Sequence, residues 1–132
     1  MLNDVARRLY AEKFITFHLG TLTNVLASAD TVFSTFVVPR NFKLRGVGVS
    51  WSTSDAAGAG LTAKVTTTAG VVLASSGAAT PSATASGIVS NDANVDITKG
   101  QILAITLRGV ADTNDFVGAS VVVIVEPPPT EE

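Results

Sequence analysis

Few residues in this chain have the chemistry to act. His18 is the sole histidine, and there is no cysteine. A histidine-based triad needs a hydroxyl nucleophile and an acid held around the imidazole. Serines and aspartates are plentiful, but no G-x-S-x-G elbow presents a serine for attack. One histidine and no thiolate also fall short of an ordinary zinc site. His18 is therefore expected to be a structural or surface residue of a strand. Asp92, Asn94 and Asp96 form D-x-N-x-D, hard oxygen ligands at calcium-loop spacing. The glycine due next is Ile97 and the glutamate due at the twelfth position is Leu103, so an EF-hand fails. A looser calcium loop would have to recruit Asp112, Asn114 or Asp115; otherwise these Asp and Asn residues serve turns.

Other constellations are weaker. Asp112 and Asp115, taken as a glycosidase pair, sit in one loop with no aromatic platform beside them. The glycine-rich run 56–60 lacks the lysine and the following helix of a phosphate loop. Arg40, Lys43 and Arg45 cluster at the start of a strand. Alternation sends Lys43 and Arg45 outward if Phe42 and Leu44 point in, where they would meet an acidic partner or simply solvent. No catalytic set, metal site or cofactor site is expected, and an enzyme is the poorest fit.

The elements that would position such residues are strands. The 132 residues suit one domain, long enough to bury a core without staples. Charged residues make up 15% and net charge is −2, which argues against a broad basic surface for nucleic acid. Hydrophobic residues reach 46%, which argues against disorder. Val and Thr suit pleated strands, and Gly and Ser suit tight turns. No apolar run approaches the ~20 residues that span a bilayer. The first ten residues carry Asp4, Arg7 and Arg8 where a leader's apolar region would lie, so no signal peptide is expected. The missing cysteines are compatible with a reducing cytosol.

Along the chain, residues 2–13 hold the only helical pattern, with Leu2, Val5, Ala6 and Leu9 on one face and Arg7, Arg8 and Glu12 opposite. Such a short helix needs something to dock against, its own domain or a neighbour. Strands are expected at 14–22, 31–38, 42–52, 61–67, 71–74, 87–90 and 95–98, then at 101–108 and 116–125, read as a long closing hairpin. Ile15, Phe17 and Leu19 share a face. In 31–38, alternation puts Val32, Phe36 and Val38 on one side and Phe33 and Val37 on the other. The phase flips between Phe42/Leu44 and Val47/Val49/Trp51, which calls for a bulge at Gly46 that lets the strand bend from one sheet to the other. Trp51 is expected in the core. Residues 75–86 read as an exposed loop with room for a short irregular strand, and 127–132 as an extended, Pro-rich acidic tail. The fold class is all-β: an antiparallel β-sandwich over 14–126, an eight-stranded jelly roll ahead of an immunoglobulin-like one, with an arm at 1–13.

An amphipathic arm, a cysteine-free Ala/Thr/Val/Ser/Gly-rich sandwich, and the closing stretch DITKGQILAITLRG…FVGASVVVIVE together resemble the capsid decoration (cement) proteins of tailed bacteriophages. That resemblance implies a virion protein made in the host cytoplasm. It binds the major capsid protein on the outer capsid surface, often as a homotrimer, with no cofactor, nucleic acid or membrane as partner. It would bridge neighbouring subunits so that its binding free energy opposes their separation. The expected contacts are Leu2, Val5, Arg7, Arg8 and Leu9 of the arm, with Lys43, Arg45 and the outer face of 121–125. Two readings compete: a glycan- or receptor-binding module, for which aromatics are scarce, and a self-assembling shell subunit.

Overall fold

The computed structural model describes residues 13–127. They form ten strands: β1 (Lys13–Val25), β2 (Thr31–Val37), β3 (Phe42–Trp51), β4 (Thr53–Ser54), β5 (Gly60–Thr67), β6 (Val72–Ala78), β7 (Ser86–Ser90), β8 (Val95–Ile97), β9 (Ile102–Val110) and β10 (Asn114–Glu126). The expected arm and tail fall almost wholly outside the described residues.

Two antiparallel sheets stack. The first has the order β1-β10-β3-β7, with β8 also on β3 and β4 on β10; the second is β2-β9-β5-β6. β7 and β8 are one broken strand along β3, and β4 prolongs β3 across Ser52. The pairing is nested. The first strand joins the last, β2 joins β9, β3 joins β7 and β8, and β5 joins β6. A ribbon of nested pairs wound over two sheets is an eight-stranded jelly roll.

Alternation explains which residues fill it. Leu61, Ala63 and Val65 from β5, and Leu103, Ile105 and Leu107 from β9, are wholly buried. Leu44, Val47, Val121 and Val123 meet them from the first sheet. Each of these Leu, Ile and Val side chains contributes roughly 1.5–3 kcal/mol on burial. Trp51 plugs one end of the core, edge-on to Phe116 with ring centroids 5.1 Å apart. Its Nε1–H donates to the Ser82 carbonyl at 3.2 Å, so its one polar atom is satisfied.

The phase change in β3 is a bulge. Ile124 pairs with Gly46 and Val125 with Leu44, leaving Arg45 as the extra residue. The strand stays in one sheet, contrary to the expected crossing, and the bulge lies where β7 ends and β8 has yet to begin. A Cβ at Gly46 would run into the Ser90 carbonyl oxygen, so the site admits only glycine.

Two other expectations are corrected and one is extended. Residues 101–125 are no hairpin, since β9 and β10 lie in opposite sheets and their connection crosses the sandwich. In β2 a register shift between Val32 and Ser34 resets the phase. Phe33, Phe36 and Val38 therefore pack on the core, while Val32 and Val37 face out. The strand expected at 71–74 runs on to Ala78, so the irregular strand allowed within 75–86 is the continuation of β6. There the Ser76 hydroxyl accepts the Ala63 N–H at 3.0 Å, where the β5–β6 register shifts.

Candidate interaction surfaces

The groups singled out for chemistry disperse. His18 projects from the exposed face of β1, its Nδ1 3.2 Å from Ser120 Oγ on β10. Among the described residues no three His, Asp or Glu side chains gather to hold a metal. Each member of the D-x-N-x-D run is engaged separately. Asp92 accepts from Ser90 Oγ at 2.7 Å, Asn94 accepts from Arg45 Nη1 at 3.2 Å, and Asp96 pairs with Lys43 at 3.2 Å. Asp112, Asn114 and Asp115 lie at the other end of β10. There Asp115 accepts the Asn24 N–H at 2.7 Å and Asn114 donates to the Asp112 carbonyl at 3.3 Å. The two acidic loops therefore do not share a site.

Of the residues expected to bind a partner, Leu2, Val5, Arg7, Arg8 and Leu9 lie outside the described residues. Lys43 and Arg45 do share the outer face of the first sheet, but their side chains are only 16% and 13% exposed. Lys43 is taken by Asp96. Arg45 Nε stands 3.8 Å from Glu126 Oε1, an ion-pair contact longer than a hydrogen bond. Both cations thus serve contacts within the chain. On the same face Val122 is half-buried and Ile124 buried. The apolar surface expected along 121–125 is small.

Two other surfaces are open. One is a trough of about 560 Å³ on the first sheet, lined by Thr16, His18, Gly48, Ser50, Ser120 and Val122 among others. Its lining holds hydroxyls, aliphatic side chains and one imidazole, but no Phe, Tyr or Trp ring and no carboxylate.

The other is the outer face of the second sheet. Register places Val37 beside Ile102, and Thr35, Ala104 and Thr66 in the next row, with Val72 opposite Thr66. Val32, Thr106 and Lys64 form the row after. Val37 is 61% exposed, Val32 57%, Ile102 48% and Val72 47%. These valines and the isoleucine surround a flat centre of small side chains. One end carries a charge cluster. There Asp30 holds Lys64 Nζ at 3.2 Å and Arg108 Nη1 at 3.9 Å, and Arg108 Nε donates to the Ala27 carbonyl at 3.0 Å, tying the β1–β2 loop to the sheet. Sequence reasoning missed this face. Its signal was the set Val32, Val37, Ile102 and Val72, legible only once the strand order is known.

No protein-family model matches the chain, and no curated protein matches it. Among solved structures, the chain is similar to one from the cyanophage Pam1 capsid asymmetric unit, at 12% identity over 90% of this chain and 88% of that one, with a TM-score of 0.45. It is also similar to a structure of infectious bursal disease virus, Gx strain, at 8% identity over 91% of this chain and 33% of that one, TM-score 0.45. A third is the VP2 subviral particle of infectious bursal disease virus, at 11% identity over 87% and 33%, TM-score 0.41. The chain spans about a third of the length of the bursal disease virus chains it matches.

Proposed function

We propose that this chain is a viral structural protein that binds the outer surface of a tailed-phage capsid and bridges neighbouring capsid subunits. The observation that carries the reading is the outer face of the second sheet, where Val32, Val37, Ile102 and Val72 stand exposed around Ala104 and Thr66. A rigid jelly roll offers such a face without deforming, so little ordering offsets the burial. A contact of this size is weak alone. Arrayed over a lattice, copies add their contacts through the subunits they join. The scarcity of charge, 15% of the chain, suits a protein whose surface is covered in its working state. The likeness of the closing stretch and the amphipathic N-terminal segment to cement proteins supports the same assignment, with the protein made in the host cytoplasm.

The test is co-sedimentation of purified chain with heads of the encoding phage that lack it. Saturable binding, with heads surviving heat or low salt better when loaded, is the expected result. Absence of binding to those heads refutes the reading. Deleting residues 1–13 in the same assay measures the arm, and unchanged binding removes it from the mechanism. A glycan array separates the lectin-like alternative and is expected to be blank, because the trough has no Phe, Tyr or Trp ring to stack a sugar.

A further inference from the structure

The side of the sandwich formed by β1 and β2 differs from every other border of the fold. The opposite side is closed by the 79–85 connection, where Ala79 is buried and the Ser82 carbonyl caps Trp51. On the β1–β2 side, Ile15, Phe17 and Leu19 of β1 and Phe33 and Phe36 of β2 point at the core yet stay only half-buried. Phe17 and Phe36 meet there with centroids 5.3 Å apart, so the seam between the sheets is apolar and open. Phe14 on the same strand is 64% exposed.

The strand edges differ as well. Edge strands are ordinarily protected by bulges, prolines, charges or shortness. β2 has a register shift, β6 has two and a left-handed Gly77, and β7 has five residues. β1 is irregular only beyond His18. From Lys13 to His18 it pairs one-for-one with Val125 to Ser120. Among the described residues no strand lies on its other side.

We infer that this chain self-associates through β1, two copies pairing antiparallel about a two-fold axis at Thr16. Directly opposite residues in an antiparallel pair share a face. A two-fold at Thr16 sets Phe14 against His18 of the second copy and Ile15 against Phe17, so outward residues meet outward ones and inward meet inward. A two-fold placed between residues would oppose inward to outward and is excluded by the pleat; one at Ile15 would set Lys13 against Phe17, and one at Phe17 would carry the pairing into the irregular stretch beyond His18. The pairing extends the first sheet across both copies and brings the two open seams together, covering the half-buried aromatics. The contact is a dimer, unlike the three-fold association that the cement-protein resemblance implies, and it holds whatever surface the protein coats.

At the axis Thr16 faces its own copy, so one substitution there tests the geometry. Its side chain is exposed, and the fold tolerates a change. In light scattering over a concentration series, the wild type is expected to reach twice the chain mass. Thr16→Lys and Thr16→Glu alone should each weaken association at least ten-fold, and an equal mixture should restore it. Because the chain has no cysteine, Thr16→Cys should give a disulfide-linked dimer under mild oxidation, while Thr35→Cys on the outer face of the second sheet should not. A wild type that stays monomeric, a trimeric mass, unaltered association of Thr16→Lys, or equal cross-linking of the Thr35→Cys control overturns the inference.

Discussion

Replacing Gly46 by alanine tests whether the β3 bulge is held by close backbone approach or by glycine's flexibility. Gly46 has no left-handed φ, so alanine incurs no torsional penalty there. By limiting the unfolded chain it should even gain ~0.4–1 kcal/mol. The obstacle is steric. An added Cβ would overlap the Ser90 carbonyl oxygen and lie 2.6 Å from Asn91 Cα and 2.8 Å from the Ser90 carbonyl carbon. All three are backbone atoms, so no rotamer relieves them. β7 must move off β3, which weakens the Val47–Ser90 pairing and the 2.9 Å hydrogen bond from the Ala93 N–H to the Arg45 carbonyl. Two such hydrogen bonds amount to ~1–3 kcal/mol, and the overpacking to another ~1–3 kcal/mol. The net loss is about 3 kcal/mol, or ~12 °C in Tm at about 4 °C per kcal/mol for a domain of this size. Gly20 is the control. Its φ is +69°, and a Cβ added there would have nothing within 4 Å. Gly20→Ala bears only the left-handed penalty of ~1–2 kcal/mol less the same gain, about 1 kcal/mol net. Urea denaturation with an unchanged m-value is the assay. A Gly46→Ala protein within 1 kcal/mol of wild type, or more stable than Gly20→Ala, refutes the steric account.

Three further outcomes are expected. Phe116→Ala removes a wholly buried ring and its edge contact with Trp51, which should lower stability by about 3–5 kcal/mol and red-shift the tryptophan emission in fluorescence spectra. Asp30→Asn dismantles a partly exposed cluster with Lys64 and Arg108; the loss should be under about 1 kcal/mol in thermal melts and vanish at high salt. Val37→Lys with Ile102→Lys should lower stability by about 1 kcal/mol or less in thermal melts, because both residues are about half exposed but the two lysines face each other across the β2–β9 pair, yet reduce head binding in co-sedimentation at least ten-fold.

How far the sequence could be read depended on whether an apolar residue had a polar neighbour to mark its face. Leu61, Ala63 and Val65 alternate with threonine and lysine, so their inward face was plain. The β3 bulge was legible because two apolar series stood out of phase on either side of a glycine. β2 gave no such contrast. Val32, Phe33, Phe36, Val37 and Val38 are all apolar, so every phase looked plausible and the bulge at Phe33 went unseen. β9 and β10 suffered the same way. Adjacent in sequence and apolar on both faces, they resembled a hairpin, and only the inter-strand register separates a turn within a sheet from a crossing between sheets. The candidate surfaces were less legible still. Lys43 and Arg45 looked free because their acids, Asp96 and Glu126, are distant in sequence. The valine face of the second sheet gathers residues from three separate parts of the chain.

The strand farthest along the described chain is an interior one: β10 lies between β1 and β3 and holds both in their sheet. On the ribosome, β1 therefore emerges long before the strand it pairs with. At 5–20 residues per second the wait is about 5–20 s. During that interval Phe14, Ile15 and Phe17 have no ladder to join, and long-range pairing of this kind closes slowly even when the chain is complete. By topology the first sheet cannot close until β10 has been made. A chain truncated before Asn114 loses the centre of its first sheet rather than a border, and it is expected to be collected by chaperones or to aggregate rather than persist as a smaller domain.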